Sequence, residues 1–305
     1  MIKGYVVKDN RVVEDGGEAA QVLYVVDPTP DEKRMLINTH RLDEHTLNSS
    51  LDPDELSRLE FEPDHVAVIY RRPLSYTAGD RLTFKTSAAG LFLFKDRIIL
   101  VFKEDLNVFS SRVFNRVGSL NDLWLRIVYS SISHFLEHLR AIYEVTSELE
   151  AMVNKSQENK YLLQLFGLEK SMVFYLNSIM TNSVLIERIK NNAARLGLTT
   201  EETEFLDDMA IENSQCQRQA DIYSNILSNL MDARASIISN NLNVQMKTLN
   251  VITIAIMVPT LVVSAFSMNV VIPLQRHPHA FWIIMSFAFA SVVVTAVWWF
   301  TRRLK

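Results

Sequence analysis

The spacing of hydrophobic and polar positions changes twice along this chain. In the first third, apolar residues come in short runs rich in β-branched and aromatic side chains: residues 20–26 (AQVLYVV), 65–70 (HVAVIY), 91–94 and 97–102 (RIILVF). Runs of that length bounded by turn residues predict strands. Between the first two, Asp27-Pro-Thr-Pro-Asp-Glu predicts a helix start, with Thr29 as cap, Pro30 at the first helical position and acids in the first turn. Leu51-Asp-Pro-Asp-Glu predicts another helix start. Together these predict an α/β layer domain over residues 1–115.

From about Asn121 the period becomes helical. Leu123, Ile127, Ser130, Ser131, His134 and Leu136 open an amphipathic pattern that runs to about Leu165, where Gly167 interrupts it. A second pattern covers residues 170–196 and ends at Gly197. Residues 116–197 therefore read as a helical region. From 198 to 258 the chain has neither glycine nor proline, and Thr199, Thr200, Glu201, Glu202 and Glu204 form a strong N-terminal start. One helix of that length would reach roughly 90 Å. It predicts a stalk, bundled between subunits, that runs on into the membrane over 198–268.

Two uncharged apolar runs close the chain, residues 251–266 and 280–300. A membrane-crossing helix needs about 20 apolar residues. The second run meets this outright; the first does so with Lys247 snorkelling and uncharged ends. Arg302, Arg303 and Lys305 follow the second run and Lys247 precedes the first, whereas the connecting loop holds Arg276 alone. The positive-inside rule then places both termini in the cytoplasm of a cell inner (plasma) membrane protein. The loop over 269–279 faces outward, and 301–305 form a basic cytoplasmic tail. Trp282, Trp298 and Trp299 fall where interfacial aromatic belts sit.

Composition adds mainly exclusions. A formal net charge of −4 makes no case for nucleic-acid binding. Cys216 is the single cysteine, which excludes an internal disulfide framework. No phosphate loop, nucleophile or base can be assembled, so the reading is not an enzyme and needs no cofactor beyond a transported ion. His40 and His45 read as surface histidines. His134 and His138, spaced i, i+4 around Glu137, offer either two metal ligands on one face or a solvated helix face; the pattern favours the latter.

The first span carries a polar stripe. Steps of seven from Asn243 reach Asn250, Met257 and Ser264, and Thr253 and Thr260 lie half a heptad away. A seven-residue repeat keeps one seam facing a bundle axis. Polar side chains within membrane helices face a partner or a water-filled cavity. A stripe this long predicts a pore lining rather than interhelical glue. Amide and hydroxyl oxygens suit an ion that keeps its waters, as Mg²⁺ does.

These features resemble the CorA family of divalent-cation transporters, whose Gly-Met-Asn signature is matched here by Ser267-Met268-Asn269. Leu230-Met-Asp and residues 239–247 (SNNLNVQMK) resemble the approach to that family's pore, and the two Asp-Pro segments resemble its N-terminal domain. The resemblance implies a homopentamer in a lipid bilayer with the first spans around the axis, and a ring of Asn269 amides as outer filter. It places Asn243, Leu249, Met257, Thr260 and Ser264 at pore positions, with Leu249 and Met257 as a hydrophobic constriction. It further implies regulatory metal sites on acids of the soluble part, at Asp207 or Asp208 with Asp80 as partner. Two departures stand out: Ser267 replaces glycine, and residues 269–279 contain no acid but offer His277 and His279. Imidazoles suit Zn²⁺ or similar ions better than Mg²⁺. The alternatives are thus a transition-metal transporter of the same fold, or a non-conducting membrane scaffold or metal sensor.

Overall fold

The computed structural model describes residues 1–15, 20–75, 84–105, 108–155, 159–268 and 277–303. It divides into two units, residues 1–231 and 232–305. In the first, seven strands form one sheet: β1 (Ile2–Lys8), β2 (Arg11–Glu14), β3 (Val22–Val26), β4 (Arg58–Phe61), β5 (Val66–Pro73), β6 (Thr86–Leu93) and β7 (Ile98–Phe102), in the order β2-β1-β3-β7-β6-β5-β4. Only β3 and β7 run parallel among these pairs; their register places Tyr24 opposite Leu100. The strands β3, β5, β6 and β7 are the sequence's apolar runs. β1, β2 and β4 were not expected, because Lys3, Lys8, Arg58 and Glu60 dilute the apolar signal on strands that are only partly covered.

Two helices, α1 (Pro30–His40) and α2 (Glu44–Ser49), cover one face of the sheet. They seal Leu36, Leu42 and Leu47 against Val25, Ala67, Phe92, Ile99 and Val101. α1 begins as its sequence dictates. Thr29 accepts from the Glu32 amide at 3.3 Å while Glu32 accepts from the Thr29 amide at 2.8 Å, a complete capping box, with Pro30 at the start. The helix start expected at Leu51-Asp-Pro-Asp-Glu is not made. α2 lies before it, opened by Asp43 accepting from the Thr46 amide at 2.9 Å, and the Asp-Pro segment forms turns instead. Both segments carry acids and a turn former, and a local pattern cannot choose between them.

The other face packs against α3 (Leu120–Lys155) and α4 (Asn159–Asn191). The helical pattern was expected to break at Gly167, but that residue lies inside α4, and α3 ends at Lys155. Helix packing on both sides absorbs the roughly 1 kcal/mol that glycine costs a helix interior. The joint to the sheet is polar: Asn182 of α4 donates to the Arg71 carbonyl at 2.8 Å and accepts from the Arg71 amide at 2.9 Å. Its carboxamide thus pairs with β5 as another strand's peptide would.

Gly197, at φ +68°, turns the chain out of the α4 end and into α5 (Thr200–Phe266), a 67-residue helix. Its start is again a capping box: Glu202 accepts from the Thr199 amide at 2.8 Å, Thr199 accepts from the Glu202 amide at 3.2 Å, and Ser119 donates to Glu202 at 2.6 Å. Along its first part Glu202, Leu206, Met209, Asn213, Cys216, Ala220 and Leu227 are buried, at alternating steps of three and four or their sum. This is a heptad seam against α3 and α4 of the same chain. Tyr129 donates to Glu212 at 2.9 Å, and Asn213 donates to the Ile179 carbonyl at 3.2 Å and to Ser183 at 2.6 Å. The bundling expected between subunits is, over this stretch, satisfied within one chain.

The second unit holds the rest of α5 and α6 (Ala280–Arg303). Each has a segment long and apolar enough to cross a membrane, as the pattern predicted. Pro259 lies inside α5 and withholds a donor from the carbonyl four residues earlier.

Candidate ion pathway

In the membrane unit the two faces of α5 differ in burial. Val251, Ala255, Val258, Pro259, Val262 and Phe266 are half-buried, the only such positions from Val251 to Phe266. Thr253, Met257, Thr260 and Ser264 are exposed. At about 100° per residue, the exposed polar set is centred nearly opposite the half-buried one. Among the described residues, none covers the stripe from its own chain. Asn243 and Leu249 are also exposed, and Leu249 and Met257 are each 63% exposed. Asn250 sits at the stripe's edge and also borders a cleft shared with α6.

Hydrogen bonding sets what this face can offer. Thr253 donates its hydroxyl proton to the Leu249 carbonyl at 2.9 Å, and Thr260 donates to the Ile256 carbonyl at 2.7 Å. Each hydroxyl proton is thus held by the helix's own backbone, and the oxygen lone pairs point outward as acceptors. Ser267 repeats the arrangement at the helix end, its hydroxyl donating to the Ser264 carbonyl at 2.9 Å and its amide to the same carbonyl at 3.1 Å. Met268 follows, exposed. Asn269 and Arg276 lie outside the described residues.

At the start of α6, His277 accepts from the His279 amide through Nδ1 at 3.2 Å, and the two ring centres are 6.1 Å apart. That bond occupies one of the two nitrogens through which His277 would bind a metal.

Of the acids singled out in the soluble unit, Asp207 and Asp208 lie among the described residues. Asp207 pairs with Lys190 at 2.7 Å, and this partner holds the Lys190 ammonium above its usual range. Asp208 is exposed, and Asp80 lies outside the described residues. Among the described residues no three His, Cys, Asp or Glu side chains group as a metal site.

His134 and His138 correct the expectation of a solvated face. His138 is buried and its Nδ1 lies 2.6 Å from the Tyr175 hydroxyl; the two imidazole centres are 4.3 Å apart. Burial, with Arg72 adding to it, pushes His134 down to about 4; burial, with His134 adding to it, pushes His138 down to about 3. Both rings are neutral in the fold. The unfolded chain protonates histidine near pH 6.5, so below that pH it binds more protons than the folded chain. The contribution is full above about 6.5 and is lost as the pH falls toward 4. Stability is expected to drop there by about 1.4 kcal/mol per pH unit for each histidine. Thermal unfolding of the full chain should show a shallower pH slope for His134→Gln/His138→Gln than for wild type. Equal slopes would mean the rings take protons in the folded state.

The CorA-like Mg²⁺ transporter protein family matches residues 22–303. The chain belongs to the CorA-like transporter family. A relative, the cobalt/magnesium transport protein CorA of Methanocaldococcus jannaschii, is 23% identical over 282 residues, covering 88% of this chain and 86% of that protein. The complete structure of the CorA magnesium transporter from that organism is similar with a TM-score of 0.79 at 20% identity, covering 97% of this chain and 95% of its own. The full-length CmaX structure gives 0.72 at 16% identity, covering 99% and 97%. The cytoplasmic domain of ZntB from Vibrio parahaemolyticus gives 0.61 at 12% identity, covering 78% and 98%. CorA-like proteins are membrane transporters of divalent cations, not enzymes, and the fold is theirs throughout: α/β domain, long helix and two apolar C-terminal helices.

Proposed function

We propose that this CorA-like chain carries Mg²⁺ across the inner membrane through a pore lined by α5, as a homopentamer with both termini inside. The observation that supports this most is the uncovered stripe of Thr253, Met257, Thr260 and Ser264 with its threonine hydroxyl protons turned inward. A face of oxygen acceptors suits the water molecules of a hydrated cation, which present hydrogens outward. Mg²⁺ loses those waters reluctantly and keeps several in protein sites.

Assembly is supported by a second observation. From residue 235 to 250, α5 is exposed all round, including Ile237, Ile238, Leu242, Val244, Met246 and Leu249. These apolar side chains spread over about half of the helix surface, opposite Ser239, Asn240, Asn243 and Lys247, and an apolar face left this exposed needs neighbours, which copies of the chain around an axis would supply. In that arrangement Asn269 is the outer filter, Leu249 and Met257 the narrow apolar section, and Asp207 or Asp208 with Asp80 the regulatory metal positions.

The test is uptake into proteoliposomes carrying the full chain with a Mg²⁺-sensitive dye inside. Mg²⁺ entry blocked by hexaamminecobalt(III), whose ammine ligands cannot be stripped and donate hydrogen bonds as water does, is the expected result. No Mg²⁺ entry in an assembled protein, with Zn²⁺ or Co²⁺ entering instead, would transfer the reading to a transition-metal transporter. Entry of none of these would favour the non-conducting scaffold or sensor.

A further inference from the structure

The basic residues at one end of the membrane unit have no acid near them in sequence. From Ala233 to Lys305 the chain contains no Asp or Glu, while Lys247 precedes the first span and Arg302, Arg303 and Lys305 follow the second. A span that leaves and a span that returns place these residues at one bilayer interface. At that level α5 and α6 enclose a cleft of about 350 Å³, bordered by Lys247, Asn250 and Ile254 of α5 and by Thr295, Trp298 and Trp299 of α6.

We propose that this cleft holds one anionic phospholipid, its phosphate beside Lys247 and the upper part of its acyl chains between the helices. The walls give the chemistry. Ile254 and the bodies of the two indoles offer apolar surface where acyl chains begin, and tryptophan rings prefer the headgroup level. Thr295 donates its hydroxyl to the Ser291 carbonyl at 2.8 Å, so donors for a phosphate come from the Asn250 amide and the Lys247 ammonium. Residues 233–305 hold no Asp or Glu to pair with Lys247, so a lipid phosphate suits it as counter-ion. Basic pockets between membrane helices recognise anionic headgroups in this way. Free inorganic phosphate would use the cation but leave the apolar wall wet. The site requires that the two helices cross a bilayer; it does not require that α5 line a pore, so either reading can fail without the other.

The experiment uses the full chain in bilayers of phosphatidylcholine into which phosphatidylglycerol is titrated, either lipid carrying bromine high on its acyl chains. Bromine quenches tryptophan on contact, so in a Trp282→Phe background, with Trp124 buried in the soluble unit, Trp298 and Trp299 report the occupant of the cleft. Brominated phosphatidylglycerol should quench more than brominated phosphatidylcholine at equal content. Lys247→Gln should lower that preference about fivefold, the effect of about 1 kcal/mol per basic residue near a charged surface. Lys247→Arg should keep it, and Ile254→Phe, which fills the cleft without adding a tryptophan, should abolish it. Equal quenching by the two lipids would overturn the proposal, as would an unchanged preference in Lys247→Gln. So would a photo-crosslinker at position 247 that captures a second copy of the chain in place of lipid.

Discussion

Asn269→Ala is expected to reduce Mg²⁺ uptake by at least about 100-fold while leaving assembly intact. The reasoning starts from what the external end lacks. With no Asp or Glu from Ala233 onward, the proposed outer mouth has no acidic side chain of this segment to hold a cation by charge. The signature residues beside it offer a thioether at Met268 and, at Ser267, a hydroxyl already bonded to the Ser264 carbonyl. In the proposed pore the Asn269 amide is then the strongest neutral acceptor offered to the ion, and the proposed assembly repeats it five times. Hydrogen bonds that involve a charged partner contribute about 1.5–3 kcal/mol each, so losing two or more costs the expected factor. Dye-reported uptake checks it, with size-exclusion chromatography confirming assembly. Asn269→Asp should still bind the ion, more tightly, with slower release. Undiminished uptake in Asn269→Ala would place selection elsewhere in the chain.

Met257→Ser is expected to raise resting Mg²⁺ entry about tenfold. Met257 is 63% exposed on the face of α5 turned away from its half-buried side, with Thr253 and Thr260 about one turn to either side of it. Brought around an axis, the thioethers would form an apolar section between two rings of hydroxyl acceptors. Narrow apolar sections close by drying, and a polar side chain that keeps water there removes the barrier. Leu249→Ser should act in the same direction at the second apolar position. Stopped-flow entry at high internal Mg²⁺, where the pore is expected to rest closed, gives the readout. A fall in stability with no change in entry would mean that Met257 faces lipid, where a serine hydroxyl gains nothing.

Several parts of the structure were legible in the sequence because their causes are local. The α1 start follows from Thr29, Pro30 and Glu32, whose capping box needs no tertiary partner. The beginning of α5 follows from Thr199 and Glu202 in the same way. The two apolar helices follow from length and the absence of charge, because a bilayer tests one segment at a time. The stripe from Asn243 to Ser264 was legible because its period is the helix's own.

What failed to appear in the sequence depends on partners far along the chain. His134 and His138 have the spacing of a solvated face, and only the tertiary fold, with Tyr175 against His138, buries His138 and half-buries His134. Asn182 gives no local sign that it will pair with the Arg71 peptide, 111 residues away. The length of α5 calls for bundling, but no local sign says that α3 and α4 of the same chain cover it from Glu202 to Leu227.

The sequence by itself determined the two apolar spans, the polar stripe on the first and the starts of α1 and α5, since each depends on a repeat or a cap within a few residues. Only the tertiary structure decided which side of α5 is left uncovered, which histidines are dry, and where the chain's own helices end the need for a partner. Those outcomes depend on burial, and burial is a property of the assembled surfaces.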